Sequence, residues 1–176
     1  MNEDQRLQPK AVSDSAVRDQ VYHVFPNDLN AQNTVFGGLI MALMDRYAAV
    51  VAHRHAQCVC VTVGVDAVHF LAPAVRGDTL IFNVAVNRAW RTSMEIGCRV
   101  EAEAIGSPER RHILSAYLTF VATDDERRPR PVPPVIPQAA EEKRRYAEAE
   151  LRRQNRLQHA EALRSLRVVS EQPPPV

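Results

Sequence analysis

Between Asn30 and Ala52 the chain reads NAQNTVFGGLIMALMDRYAAVVA, a polar segment leading through two glycines into an apolar stretch that holds one carboxylate. From Leu39 to Ala52 only Asp45 and Arg46 are charged, and Leu39 to Met44 cover every side of a 3.6-residue helix, so the pattern predicts a helix buried around its circumference. In that setting Asp45 needs a cation or several donors, and without them its pKa rises toward the range useful to a general base or acid. Gly37 and Gly38 let a ligand approach the backbone closely. The amides of the first helical turn carry the positive end of the helix dipole, where a carbonyl turning into an oxyanion can be stabilised. Together these groups would set a polarised acyl carbon against a water activated by a carboxylate. A structural use remains open beside the chemical one, in which Asp45 only pairs with Arg46, another helix or a backbone amide.

The elements around this stretch must hold it in place. Val17 to Phe25 has the composition of an edge strand, and Pro26, Asn27, Asp28 and Asn30 form a turn into the glycine pair. The helix is expected to end near His53 to His55, with Arg54 and both histidines in solvent; their i,i+2 spacing puts the two rings on different faces and argues against a paired metal site. Cys60 to Phe70 and Thr79 to Ala89 read as strands, the first with Val61, Val63, Val65 and Ala67 on one face. Ser93 to Ala104 alternates cleanly: Met94, Ile96, Cys98, Val100, Ala102 and Ala104 face a core, while Ser93, Glu95, Gly97, Arg99, Glu101 and Glu103 make a wetter face. Gly106 to Glu109 turns the chain into a last strand, Arg111 to Ala122. Long strands joined by short connections after a buried helix favour an antiparallel sheet wrapped around that helix, an α+β fold. Without a glycine phosphate fingerprint or strand–helix alternation, a Rossmann domain fits poorly. RPRPVPPVIP, from Arg128 to Pro137, reads as an extended strap rather than another strand, and Ala139 to about Leu166 as a helix whose arginines are solvated.

One domain is enough for 176 residues, and 45% hydrophobic with 24% charged residues is ordinary for a soluble protein. The first twenty residues lack an apolar signal region, and the apolar helix is interrupted by Asp45 and Arg46, so neither secretion nor a membrane span is expected and a cytoplasmic location follows by elimination. A formal charge of +1 argues against a nucleic-acid partner. Cys58, Cys60 and Cys98 make neither a disulfide framework nor a zinc site and read as ordinary thiols.

Four blocks, PNDLNAQNTVFGGLIMALMD, VTVGVDAVHFLAPAVRGDTL, WRTSMEIGCRVEAEA and LTFVATDDERRPRPVPPVIP, occur in an order that resembles the hotdog-fold acyl-CoA thioesterases of the cytosolic acyl-CoA hydrolase type, from about Val21 to Pro137. The resemblance implies a five-stranded antiparallel sheet around a central helix, a homodimer and, beyond it, a trimer-of-dimers hexamer. Residues 1–16 are then a flexible leader, 17–137 the hotdog domain with its proline-rich strap, and 138–176 a basic helical tail with a disordered end. It further implies that Asn30 and Asp45 reach one site from opposite subunits, that Gly37 and Gly38 form the backbone turn at the acyl carbonyl, and that Arg91, Thr92 and Ser93 lie beside the thioester and CoA. No metal or redox cofactor is required. Many relatives carry glycine where this chain has Asn33, so either the loop has less backbone freedom or Asn33 takes a left-handed turn, which asparagine tolerates better than most residues.

The reading that follows is hydrolysis of acyl-CoA to a free carboxylate and CoA, with Asp45 acting on water or forming an anhydride. A regulatory hotdog protein that binds acyl-CoA without turnover is the alternative, motivated by Asn33. A dehydratase is disfavoured by the lack of a suitable histidine and acid near the helix, and a serine hydrolase by Ser93 lacking a G-x-S-x-G setting. Asp66 is expected to serve structure through a hydrogen bond, and Phe70, Trp90 and Tyr117 are candidates for an acyl slot.

Overall fold

A computed structural model describes residues 3–170. In chain order these form α1 (Glu3–Arg6), β1 (Lys10–Ala11), β2 (Val17–His23), α2 (Gly37–Ala56), β3 (Cys60–Val65), β4 (Thr79–Ala89), β5 (Ser93–Glu103), β6 (Arg110–Ala122), β7 (Val135–Ile136) and α3 (Ala140–Ser170). The main sheet has the order β2-β4-β5-β6-β3, antiparallel throughout, and α2 packs on its concave face. This is the α+β arrangement expected from the alternating strands and the apolar helix. The strand expected over Cys60 to Phe70 ends earlier, at Val65, and the chain beyond it runs irregularly to Ala74.

The sequence of α2 explains its seat. Ile40, Leu43, Met44, Ala48, Val51, Ala52, His55 and Ala56 recur at helical spacing and are buried against Phe82, Met94, Ile96, Leu118 and Phe120 in one core. The expected burial around the whole circumference does not hold in the single chain: Met41 and Val50 are exposed apolar side chains, and Asp45 and Arg46 are exposed too. The sheet curves over only one side of the helix, which leaves an apolar flank open. At its C-terminus α2 ends on Gln57 in the left-handed region (φ 52°), whose amide returns to the His53 carbonyl. The last carbonyls are met from the leader, as Arg6 donates to Ala56 at 3.0 Å and Lys10 to His55 at 2.7 Å. Residues 5–16, expected to be flexible, are therefore docked on α2, with Arg6, Val12 and Ser15 buried. The cations sit where the helix dipole is negative, which gives them a physical reason to stay.

His55 is fully buried rather than solvated, and its Nε2 lies 2.9 Å from the Pro133 carbonyl. The strap does carry a short strand, β7, which pairs in parallel with β1, so leader and strap close over His55 together. The C-terminal helix corrects another expectation. Instead of standing in water, α3 lies across the convex face of the sheet: Ala149 is buried, Arg88 stacks on Tyr146 at 4.2 Å, and Trp90 donates to Glu150 at 2.9 Å. Glu95, placed by alternation on a wet face, is 0% exposed and is held by Arg152 (2.7 Å), Arg156 (3.1 Å) and the Asn87 amide (3.0 Å). The disordered end expected at the C-terminus lies outside the described residues. The cysteines are free, and burial pushes the Cys60 and Cys98 thiols up to about 12, which fits inert core thiols.

Two outcomes follow for stability. Glu95→Ala leaves two guanidiniums facing a site with no carboxylate; each keeps some solvent and a second acidic neighbour, so urea unfolding should show a loss of about 2–3 kcal/mol, the low end for a broken buried pair. For His55, desolvation first and Lys10 after it lower the pKa below its ordinary 6.5, against the opposing effects of the Pro133 bond and Asp14. Between the lowered native value and 6.5 the unfolded chain binds more protons, so this contribution to stability is complete above 6.5 and is lost as pH falls below it. Melts of His55→Gln should accordingly lose less stability than the parent protein between about pH 7.5 and 5.5.

Candidate active site

The loop before α2 is built by two acidic or amide side chains that fold the backbone onto themselves. Asp28 accepts from the Phe25 amide at 2.8 Å and from the Tyr22 hydroxyl at 3.0 Å, an arrangement that, after burial of the ring, raises the Tyr22 pKa. Asn30 Oδ1 accepts from the Gln32 and Thr34 amides at 2.8 and 3.3 Å, and its Nδ2 donates to Thr34 Oγ1 at 2.9 Å. Asn33 sits at φ 58°, the left-handed turn of its two alternatives, so asparagine takes the conformation that glycine would. That removes the observation which had favoured a binding protein without turnover.

This loop brings Asn30 and Thr34 to the N-terminus of α2, where with Val35, Gly37, Ile40 and Phe70 to Ala74 they line a cavity of about 380 Å³. Phe70 lies so close over Gly37 that a Cβ there would stand 3.1 Å from its Cζ, and one at Gly38 would collide with the Phe36 ring. Glycine at these positions lets the two rings lie against the start of the helix, and a Cβ would push these exposed rings aside. Of the first-turn amides, Leu39 donates to the Phe36 carbonyl at 2.9 Å, and those of Gly37 and Gly38 are the donors at the cavity's edge.

Asp45 does not line this cavity. It stands eight residues further on, about 12 Å along the helix axis, on the exposed flank. Its Oδ1 accepts from Thr62 Oγ1 at 2.6 Å, a short charge-assisted bond. Because Asp45 is exposed in the single chain, the desolvation expected of it is absent there. Thr62 escaped the sequence reading. Only the register reveals it: Thr62 shares a lateral row with Phe120 and Met94 and therefore points with them toward α2, a hydroxyl on an otherwise core-facing row.

Arg91, Thr92 and Ser93 form the β4–β5 turn, closed by Trp90 N–H to the Ser93 carbonyl at 2.8 Å. Their row leads from Ser93 through Val121 to Val61, so the turn lies about 10 Å, two strand spacings, from the Thr62 end of β3. Arg91 is exposed, and Arg153 reaches Ser93 Oγ at 3.4 Å. Of the three aromatic candidates only Phe70 meets the cavity. Trp90 and Tyr117 lie under α3, stacked by Arg153 and Arg152. One chain therefore presents three separate groups: the Asn30–Gly37–Gly38 cavity, the Asp45–Thr62 pair and the Arg91–Ser93 turn.

Residues 32–109 match the Thioesterase superfamily. Over 143 residues the chain is 38% identical to the uncharacterized acyl-CoA thioester hydrolase YkhA of Bacillus subtilis, covering 80% of this chain and 83% of that protein. It is 39% identical over 140 residues to acyl-coenzyme A thioesterase 11 of Mus musculus, but spans only 24% of that protein's length. The acyl-CoA hydrolase of Bacillus cereus superposes with a TM-score of 0.84 at 37% identity, covering 94% of this chain and 99% of that one. The curved sheet around one helix, with its glycine-paired helix start, is the hotdog arrangement. Within it, the chain belongs to the acyl-CoA thioesterase family.

The left-handed Asn33 gives a local test. Asn33→Ala should lower stability by about 1 kcal/mol, the cost of a Cβ in that region without a compensating amide, while Asn33→Gly should stay within about 0.5 kcal/mol, as thermal unfolding would show.

Proposed function

We propose that the protein hydrolyses acyl-CoA to a carboxylate and CoA at a site that two copies of the chain complete together. The observation that carries this reading is the Asp45–Thr62 hydrogen bond, a positioned carboxylate on an open apolar flank, separated from the donors of its own α2 N-terminus. Asn30, Asp45 and Thr62 stand 15 and 17 positions apart. An acyl-CoA hydrolase of Staphylococcus aureus, 34% identical and known in complex with butyryl-CoA and CoA, has been solved as alanine variants at an asparagine, an aspartate and a threonine with the same two spacings.

In this reading Asp45, oriented by Thr62, takes a proton from water as the water oxygen attacks the thioester carbon. The carbonyl oxygen gains charge beside the amides of Gly37 and Gly38, and Asn30 positions the thioester or water through its amide. The C–S bond then breaks, the sulfur leaves as CoA thiolate and is protonated, and the acyl group leaves as carboxylate. Attack by Asp45 itself to form an anhydride is the second course, and solvent oxygen passing into the aspartate in one turnover would mark it. Arg91, Thr92 and Ser93 lie at the proposed CoA end. No step uses a metal or a redox cofactor.

The edges of the sheet support pairing of subunits. Both edge strands are irregular, β2 at Val17 to Gln20 and β3 at Thr62 to Gly64, but β2 carries Arg18 and Asp19, whereas β3 offers Val61, Val63 and Val65 at 45–57% exposure and no charge. A second copy on the β3 edge would cover the valines and the open flank of α2. Acyl-CoA thioesterases similar to this chain, at 39% and 32% identity, are hexameric, which supports a trimer of such dimers. A cytoplasmic location is supported by the cytosolic acyl coenzyme A thioester hydrolases of mouse, rat and human, each 33% identical, of whose length this chain spans 38%.

Asp45→Asn should bind acyl-CoA but release CoA about 100-fold more slowly, within the usual span for a lost general base. Neither Asn30→Ala nor Asp45→Asn alone should be active, yet the two co-expressed with different tags and purified through both should regain at least about tenfold over either, since one interface keeps a complete site. A mixed oligomer no more active than its parents would reject the shared site, and near-normal turnover by Asp45→Asn would reject the role of Asp45.

A further inference from the structure

The wall of the α2 cavity has an unusual support. Residues 66–74 follow β3 without helix or strand, yet Phe70, Leu71, Ala72, Pro73 and Ala74 form one side of the cavity. A segment without a ladder of its own must be held by individual bonds. At its far side the Leu71 amide donates to the Ile113 carbonyl at 2.8 Å. At its near side Asp66 is fixed twice, its amide to the Tyr117 carbonyl at 3.0 Å and its Oδ2 to Arg156 Nη1 at 2.7 Å. Between these two anchors lie only Ala67, Val68, His69 and Phe70, and the Phe70 ring is the part that lies over Gly37.

Arg156 belongs to α3 on the opposite face of the sheet. Its guanidinium is not a free surface arm, because Nη1 and Nη2 both donate to Glu95 Oε2 at 3.1 Å, while the Asn87 amide at 3.0 Å holds the other oxygen, Oε1, which Arg152 also approaches, so that Glu95 keeps a second anchor without Arg152. A planar fork held on one carboxylate presents its remaining donor capacity in a fixed direction, and here that direction is Asp66. Thr62 lies upstream, paired in the ladder with Phe120 and before the register slip at Gly64, so the Asp45–Thr62 bond does not depend on this anchor.

We propose that Arg156 is a positioning residue for the acyl-binding wall: through Asp66 it fixes the start of the Phe70 segment, so that the helix behind the sheet sets how the cavity in front of it accepts an acyl chain. This rests on the reading of that cavity as the acyl site. Loosening the anchor lets Phe70 move off Gly37 while the carboxylate and its threonine keep their places. The effect therefore falls on binding of the acyl group, more heavily the longer the chain in contact with the wall, and spares the chemical step.

The test compares Arg156→Met, Asp66→Asn and their double variant with Arg152→Met, which weakens the docking of α3 on Glu95 without touching Asp66. Across a series of acyl-CoAs of increasing length, Arg156→Met and Asp66→Asn should each raise KM by up to about tenfold for the longest chains with kcat within about twofold, and the double variant should be no worse than either, the mark of two residues acting as a unit. Arg152→Met should lower the melting temperature and leave the length dependence of KM as it was. Equal KM shifts in Arg152→Met, or single effects that multiply in the double variant, would overturn the proposal. Amide exchange at Asp66 and Leu71, whose amides are bonded to Tyr117 and Ile113, gives a readout that needs no turnover. It should accelerate in Arg156→Met and Asp66→Asn but not in Arg152→Met, and unchanged exchange in Arg156→Met would overturn the proposal. If the parent protein released no CoA from any thioester, the hydrolase reading would fall, and the exchange result would still decide whether Arg156 holds the wall.

Discussion

The central helix is closed at one end and open at the other, and much of the architecture answers to that asymmetry. Its terminal carbonyls concentrate negative partial charge in a place with little solvent, and the leader supplies Arg6 and Lys10 to meet them. Anchoring the leader there brings β1 beside β7, and the strap between the main sheet and α3 is thereby drawn over His55. No comparable partner is spent on the N-terminus. Gly37 and Gly38 keep side chains out of it, the Asn30 turn shapes its rim, and the amides are left to whatever enters the cavity.

A second constraint comes from Glu95. A carboxylate with no exposed surface must be matched by cations and donors, and the nearest available are two arginines one helical turn apart on α3. Their spacing lets one helix face deliver both, with Arg152 also stacking on Tyr117 at 3.6 Å. The sheet is consequently covered on its convex side by a helix that is strongly polar, attached through charge rather than through an apolar stripe. Such an attachment is directional, which is why it can hold a neighbouring carboxylate, Asp66, in a defined position.

What could be read from the chain, and what could not, divides along the range of the forces involved. The alternation of Met94 to Ala102 located β5 and its core face because a strand's period is local, and Asn33 admitted the left-handed turn it takes because that tolerance belongs to the residue. Glu95 and Glu101 look alike in the same alternating pattern. Only the return of α3, fifty-seven residues later in the case of Arg152, makes one of them buried. Likewise Asp45 stood out as a carboxylate in an apolar run, but its partner Thr62 comes from the next strand, and nothing near either residue announces the pairing. The apolar run misleads for a related reason: residues such as Met41 and Val50 have the composition of a core, and within one chain they have no core to enter.

The two edges of the sheet are unequal, and inequality of this kind decides how far association can proceed. Both end strands are irregular, but β2 adds the charges of Arg18 and Asp19, while β3 ends the sheet with valines and unpaired backbone. If two identical chains join β3 to β3 about a twofold axis, each has used its one adhesive border, and the composite sheet presents only blocked borders to the outside. Edge-to-edge growth is then self-limiting at two. Any larger particle has to be assembled through other surfaces, and the same valines that invite a partner cannot seed a fibre once that partner has arrived.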